Sequence, residues 1–184
     1  MKIHLAILSF MFLLVACHEN DLDQVASLTN DEDLPQIVME NAEIEFTDSA
    51  KLQAIIAGGY IESFTFLNED NEVTDRKLVM TKGVKARFYS KQGVVNSVLT
   101  AQQAVRLEQE KKTEIEGNVV VVNSRGDSLS TEFLLWDEKD ETISSDRKVR
   151  VKTSDEIIFA EGFTSDMNFQ EYTFKKVTGT ISLN

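Results

Sequence analysis

The chain's only cysteine, Cys17, stands directly after Leu14, Val15 and Ala16, at the end of an apolar run that opens at Leu5. Lys2 supplies a positive start, Leu5 to Val15 an apolar stretch, and the small Ala16 leaves room for a peptidase to cut just before the thiol. That stretch is roughly half of the about 20 residues a spanning helix needs. The spacing therefore predicts an export signal over 1–16 with a lipid-attachment site at Cys17, not a retained membrane helix. A thiol used in this way leaves none for disulfides, for catalysis or for a cysteine-ligated metal. His4 lies in the signal and His18 beside the anchor, so a histidine base, a triad or a zinc site is not expected either. With only scattered carboxylates left for acid-base work, the reading is a non-enzyme with no catalytic residue, no metal and no cofactor.

Charge narrows the partners further. The chain holds 31 acidic against 19 basic residues, a net charge of -12, which disfavours nucleic acid and simple adhesion to anionic lipid. Arg76, Lys77, Lys82, Lys85, Arg87 and Lys91 form a basic stretch, but Lys85 and Arg87 alternate with apolar neighbours and so belong on a solvated outer face. The acidic Asn68-Glu69-Asp70-Asn71-Glu72 reads as a hairpin loop, since Val73 takes a place where a calcium loop needs glycine. Gly58-Gly59 predicts a tight turn or bulge. No glycine-rich phosphate loop ending in Lys-Ser or Lys-Thr is present, so the chain is not expected to supply ATPase chemistry of that type itself.

The elements that would position a site are strands. Segment 17–36 is acidic and holds the only proline, Pro35, and is read as a lipidated tether. From 37 to 184 the pattern alternates: Ala42, Ile44 and Phe46 with Glu43 and Glu45; Val84, Ala86 and Phe88 with Lys85 and Arg87; Val149 and Val151 with Lys148, Arg150 and Lys152. Period two marks half-buried strands, and polar or glycine-bearing breaks at 47–50, 68–71, 91–93, 125–127 and 154–156 punctuate them. A faint repeat of hairpin-like units, opening at Gly93, at Gly126 and near Asp155, implies strands stacked into a common sheet pair. Val119 to Val122 are apolar on both faces, which puts that strand near the middle.

Leu14-Val15-Ala16-Cys17 resembles the lipobox of bacterial lipoproteins, whose cysteine is acylated and becomes the mature N-terminus. Gly117-Asn118-Val119-Val120-Val121, then Gly126-Asp127-Ser128-Leu129-Ser130-Thr131-Glu132 with Leu135-Trp136-Asp137, Ile143, Asp146, Val149, Glu161-Gly162-Phe163 and Asp166 resemble the LptC family of periplasmic lipopolysaccharide-export proteins. The lipobox and acidic tether are similar to Bacteroidetes-type members; better-known members carry a membrane helix instead, and that helix's role is not carried over. The resemblance implies an all-β, twisted, V-shaped β-jellyroll, open along one side. It also implies a periplasmic location, lipid-anchored at the inner membrane. The apolar interior would receive lipopolysaccharide from an inner-membrane ABC transporter and pass it to an LptA-like bridge protein.

On that reading the alternating residues Leu52, Ala54, Ile56, Val84, Ala86, Phe88, Val119, Val121, Phe133, Leu135, Val149, Val151, Ile158 and Phe174 line a lipid groove. The same binary pattern also serves the closed core of a structural or adhesive β-sheet lipoprotein without a ligand. The last strand, with Val177, Gly179, Thr180 and Ile181, is expected to be an open edge for the bridge protein, because the third unit has none after it to pair with. Cys17→Ser is expected to abolish acylation and move the protein out of the membrane fraction, since each buried methylene contributes about 0.8 kcal/mol to anchoring. Fractionation of cells expressing the variant checks this, and undiminished membrane retention would refute the anchor.

Overall fold

The computed structural model describes residues 34–167 and 171–183, so the export signal, Cys17 and the acidic segment up to Asp33 lie outside the described residues. Within them every regular element is a strand, and no helix is long and apolar enough to cross a membrane. The strands are β1 (Ile37–Asp48), β2 (Lys51–Leu67), β3 (Val73–Tyr89), β4 (Val95–Ala101), β5 (Gln103–Leu107), β6 (Lys112–Asn123), β7 (Ser128–Asp137), β8 (Thr142–Lys152), β9 (Glu156–Asp166) and β10 (Tyr172–Ser182). They form one antiparallel sheet in chain order, with β4 and β5 placed end to end between β3 and β6. Among the described residues β1 and β10 pair only with β2 and β9, so the sheet does not close into a barrel. Gln36, assigned to the tether by composition, already donates its N–H to the Ser63 carbonyl at 2.9 Å.

The polar breaks make hairpins by one recurring device. Asn68 Oδ1 accepts the N–H groups of Asp70 and Glu72 at 3.0 and 2.9 Å, and Asn123 Oδ1 does the same for Arg125 and Asp127 at 2.9 and 3.0 Å. A side-chain oxygen that imitates a backbone acceptor fixes the turn without a core contact. The acidic loop at 68–72 is accordingly a plain hairpin.

What converts this flat meander into a two-layered body is an aligned row of ladder breaks. Register shifts fall between Gly58 and Tyr60, Glu116 and Val119, Thr131 and Leu135, and Ser145 and Lys148. On the remaining strands the pairing skips Asn41, Gln102 and Gly162. Asn41, Lys82, Gly83, Gly117, Asn118 and Gly162 take positive φ there. Each break kinks its strand, and because all lie side by side the whole sheet creases along one line. One leaf comprises 42–58, 84–101, 119–131, 148–161 and 176–182; the other comprises 37–40, 60–81, 103–116, 134–145, 163–166 and 172–174. Gly58-Gly59 is thus a bulge inside β2, not a turn.

At Gly117 in the crease glycine is required because a neighbouring side chain lies across it. A Cβ on Gly117, at φ +79°, would stand 2.5 Å from Gln102 Oε1 and 2.9 Å from Gln102 Cβ, whereas one on Gly126, at φ +88°, meets nothing within 4 Å. Gly117→Ala should cost about 2 kcal/mol, from the positive φ plus the displaced glutamine, and Gly126→Ala only about 1 kcal/mol from its φ. Urea unfolding followed by circular dichroism checks the difference, and equal costs would contradict the packed crease.

Candidate functional site

The candidate site is the space between the leaves. Phe46 of β1 and Trp136 of β7 are five strand steps apart, which on a flat sheet is about 24 Å. Their ring centroids are 6.2 Å apart at 78°, and Phe88 of β3 meets the same indole at 5.1 Å and 85°. Both contacts are edge-to-face, the arrangement favoured by ring quadrupoles and worth about 0.5–1.5 kcal/mol each beyond area burial. They show the leaves folded face to face, with Phe46 and Phe88 from one and Trp136 from the other. Arg106 of β5 adds a polar clasp: its guanidinium lies 4.5 Å over the Phe46 ring and pairs with Glu138. Burial pushes the Arg106 pKa down and the charge of Glu108 opposes that, yet a guanidinium stays protonated at any working pH.

Around this centre Ala54, Ile61, Met80, Leu99, Val119, Leu134 and Ile143 are wholly buried. Toward the C-terminal strands Phe163, Tyr172 and Phe174 form a second aromatic group, with centroids 5.4–6.1 Å apart. A cavity of about 20 Å³ lies between Phe163 and Tyr172 of that group and Val121, Leu129 and Val151, room for no more than a water molecule. A wider cleft of about 820 Å³ opens where the hairpin tips of the two leaves face each other. Its rim is polar, with Asp48, Lys51, Lys91, Glu141 and Asp166, and Phe88 forms part of its wall.

Ten of the expected lining residues share the interior: Ala54, Ile56, Val84, Ala86, Phe88, Val119, Val121, Val149, Val151 and Ile158 are all buried in one core cluster. Phe174 packs against it, and Leu52 is half-buried. Phe133 and Leu135 depart from the expectation. In β7 the buried side chains are Leu129 and Thr131 before the crease but Leu134 and Trp136 after it, because the ladder slips between Thr131 and Leu135. One slipped residue exchanges the two faces of a strand, which turns Phe133 and Leu135 outward. Ile61, Met80, Leu99, Ile115, Trp136, Ile143 and Phe163 were not among the expected lining residues; the lone tryptophan of an all-β pattern is the one signal that could have marked the centre.

Electrostatics places the remaining candidates outside. Arg87 donates to Glu43 at 2.8 Å on the outer face, and this hydrogen bond raises its pKa. No group of three or more His, Cys, Asp or Glu among the described residues has the arrangement of a metal site. β10, at the sheet's end, exposes Val177 and Ile181 at 54% and 53%.

An open, creased, apolar-lined antiparallel sheet agrees with a lipopolysaccharide-transport jellyroll, and the comparison of the whole chain decides the matter. The family model described as lipopolysaccharide-assembly, LptC-related, matches residues 3–182. The chain belongs to this LptC-related family. No curated protein matches it. As the resemblance implied, this LptC-related chain is an open twisted β-jellyroll, built by one sheet doubling back on itself.

If Trp136 joins the leaves, Trp136→Ala should cost about 3–5 kcal/mol, the range for a large buried aromatic, and Phe133→Ala about 1 kcal/mol or less, as befits an outward position. Urea denaturation read by circular dichroism separates the two, and a larger loss at Phe133 would reverse the assignment of faces.

Proposed function

We propose that this LptC-related chain takes lipopolysaccharide from an inner-membrane ABC transporter between its two leaves and passes it to an LptA-like periplasmic bridge protein. Family membership supports the general role in lipopolysaccharide transport. The observation that carries the finer reading is the combination of an apolar-lined double leaf with an edge strand, β10, that among the described residues pairs with β9 on one side only. Acyl chains need a dry, apolar path, which the inner faces of the leaves supply once parted. A bridge protein built of strands can continue that path by pairing with β10, where backbone donors and acceptors face outward and Val177 and Ile181 add apolar contact.

The acyl group on Cys17 would hold the protein at the periplasmic face of the inner membrane, with 17–36 as the tether and 37–184 as the lipid-handling domain. The chain's own residues then bind and guide but do no covalent chemistry, and the driving energy belongs to the ATPase. In this reading Ala54, Ile56, Val84, Ala86, Phe88, Val119, Val121, Val149, Val151 and Ile158 touch lipid, with Leu52 and Phe174 at the margins. A ligand-free structural lipoprotein would use the same residues only as core.

Two measurements test the reading. A photo-crosslinking residue in place of Phe88 is expected to capture lipopolysaccharide in living cells, and a folded, functional variant that captures none would exclude lipid from the leaves. In an antiparallel edge strand, alternate residues aim their N–H outward, so either Gly179→Pro or Thr180→Pro removes a free-edge donor while sparing the β9 ladder. The one of these two that keeps the wild-type melting temperature should lose the bridge protein and keep the ABC transporter. Retained bridge binding in that variant would exclude edge pairing.

A further inference from the structure

The leaf that holds 119–131 and 148–161 carries, on its outer side, a patch unlike the rest of this acidic chain. Val119 and Val121 of β6 are buried inward, which turns Val120 and Val122 outward, and Val122 is 41% exposed. Ladder pairing sets Val122 in one row with Ser128, Lys152, Ile157 and Ile181. Val120, Ser130, Arg150 and Phe159 form the next row, which Thr100 joins to Lys85 of β3. Phe159 is 37% and Ile181 53% exposed. Neither row contains a carboxylate, although the chain's net charge is -12. Lys85, Arg150 and Lys152 are exposed and enter no ion pair among the described residues. Carboxylates at the margins are already occupied, Glu43 by Arg87 at 2.8 Å and Glu161 by Lys176 at 3.1 Å. A shallow groove of about 440 Å³ runs beside Arg150 and Phe159, with Lys148, Ser130 and Glu132 in its wall, and Glu132 accepts the Asn118 N–H at 3.3 Å.

We infer that this outer face docks on an anionic bilayer surface, its cations meeting lipid phosphates while Phe159, Val122 and Ile181 enter the headgroup layer. The inference rests on the Cys17 anchor proposed above and not on lipid capture between the leaves. Cations beside exposed aliphatic and aromatic side chains make a surface that lies in the membrane interface, and anionic phosphate is the partner that unpaired lysine and arginine select. Elsewhere the chain's acidity repels anionic lipid, so this is the face that can approach. Size also favours a bilayer over a protein partner. From β3 to β10 the two rows span about 29 by 10 Å at a strand spacing of about 4.8 Å, well under the about 800 Å² per partner of a stable protein interface. A bilayer sets no such minimum, because the anchor supplies the attachment and the face has only to orient the domain. Segment 17–33 reaches at most about 60 Å, which makes docking an intramolecular step at high effective concentration.

Cys17 is the only native cysteine, so an introduced thiol is the one free to take a fluorophore once Cys17 is acylated. The processed full chain is reconstituted into vesicles of phosphatidylcholine, alone or mixed with phosphatidylglycerol, each doped with a quencher at headgroup depth. A label on Ser128→Cys is expected to be quenched on the mixed vesicles and not on phosphatidylcholine alone; Ser130→Cys replaces it should that label disturb the fold. A label on Thr164→Cys, exposed on the other leaf, is expected to be quenched on neither. Arg150→Ala and Lys152→Ala should each lower the ratio of docked to undocked protein about fivefold, the factor for one cation at an anionic surface, with an unchanged circular dichroism melt. Equal quenching at the two labelled positions, quenching that both variants leave intact, or none on vesicles with which the chain floats overturns the docking and leaves the anchor and the transport reading standing. Shielding of the Ser128 label from quencher, with crosslinking of two chains through this face, assigns it to a second copy and also overturns the bilayer. A chain that floats with neither vesicle overturns the anchor and the docking together.

Discussion

Everything in this molecule depends on the crease. A ten-stranded antiparallel sheet with one apolar face cannot remain open and flat in water, since that face would be exposed along its whole length. Closing edge to edge into a barrel is one escape, and doubling over is another. The aligned register breaks select the second, because a bulge kinks a strand where it sits and a row of bulges kinks the sheet. Residues distant along the sheet then meet: Phe46 and Phe88 reach Trp136 across the fold, and Arg106 reaches Phe46. The glycines and positive-φ residues of the crease serve this geometry, and side chains such as Gln102 lie over the backbone they leave uncovered.

Doubling over leaves two consequences that bear on function. The first is that both terminal strands remain edges, with β1 and β10 unpaired on their outer sides among the described residues. A barrel would have removed them. Charge distinguishes the two: β1 carries Glu40, Glu43, Glu45 and Asp48 and no basic residue, whereas β10 carries Lys175 and Lys176 and no acidic one.

The second consequence is a tension between stability and transport. A well-packed interior resists opening, yet an interior meant for lipid has to open. In this chain the packing is dense at the aliphatic positions but carries unpaired polar atoms at the aromatic contact. Substituting every interior residue for a better-packed one would strengthen the closed state and, on the transport reading, would impair it. The hydroxyls bonded within the interior, such as Thr131 and Ser145, fasten the crease itself, so rigidity is placed at the fold line and weakness at the facing leaves.

The sequence by itself determined the strand content, the hairpins at 47–50, 68–71, 91–93, 125–127 and 154–156 and the face of most strands, because these are short-range properties, while the breaks at 108–111, 138–141 and 167–171 carry no such punctuation. Alternation sets a face within one uninterrupted strand, and Asn68 or Asn123 sets a turn through bonds to residues two and four positions on. It also pointed to the family through Gly117-Asn118-Val119 and its companions. Of the breaks in alternation it marked Gly58-Gly59, read as a turn or bulge, and the slip in β7 was beyond it, because a ladder slip is a relation between two strands that one strand's pattern does not reveal. Hence Phe133 and Leu135 read as inward when the slip in β7 places Leu134 and Trp136 there. Only the tertiary structure decided that Trp136 would be the meeting point of the leaves, since its neighbours Phe46 and Phe88 are brought to it by the crease, not by the chain.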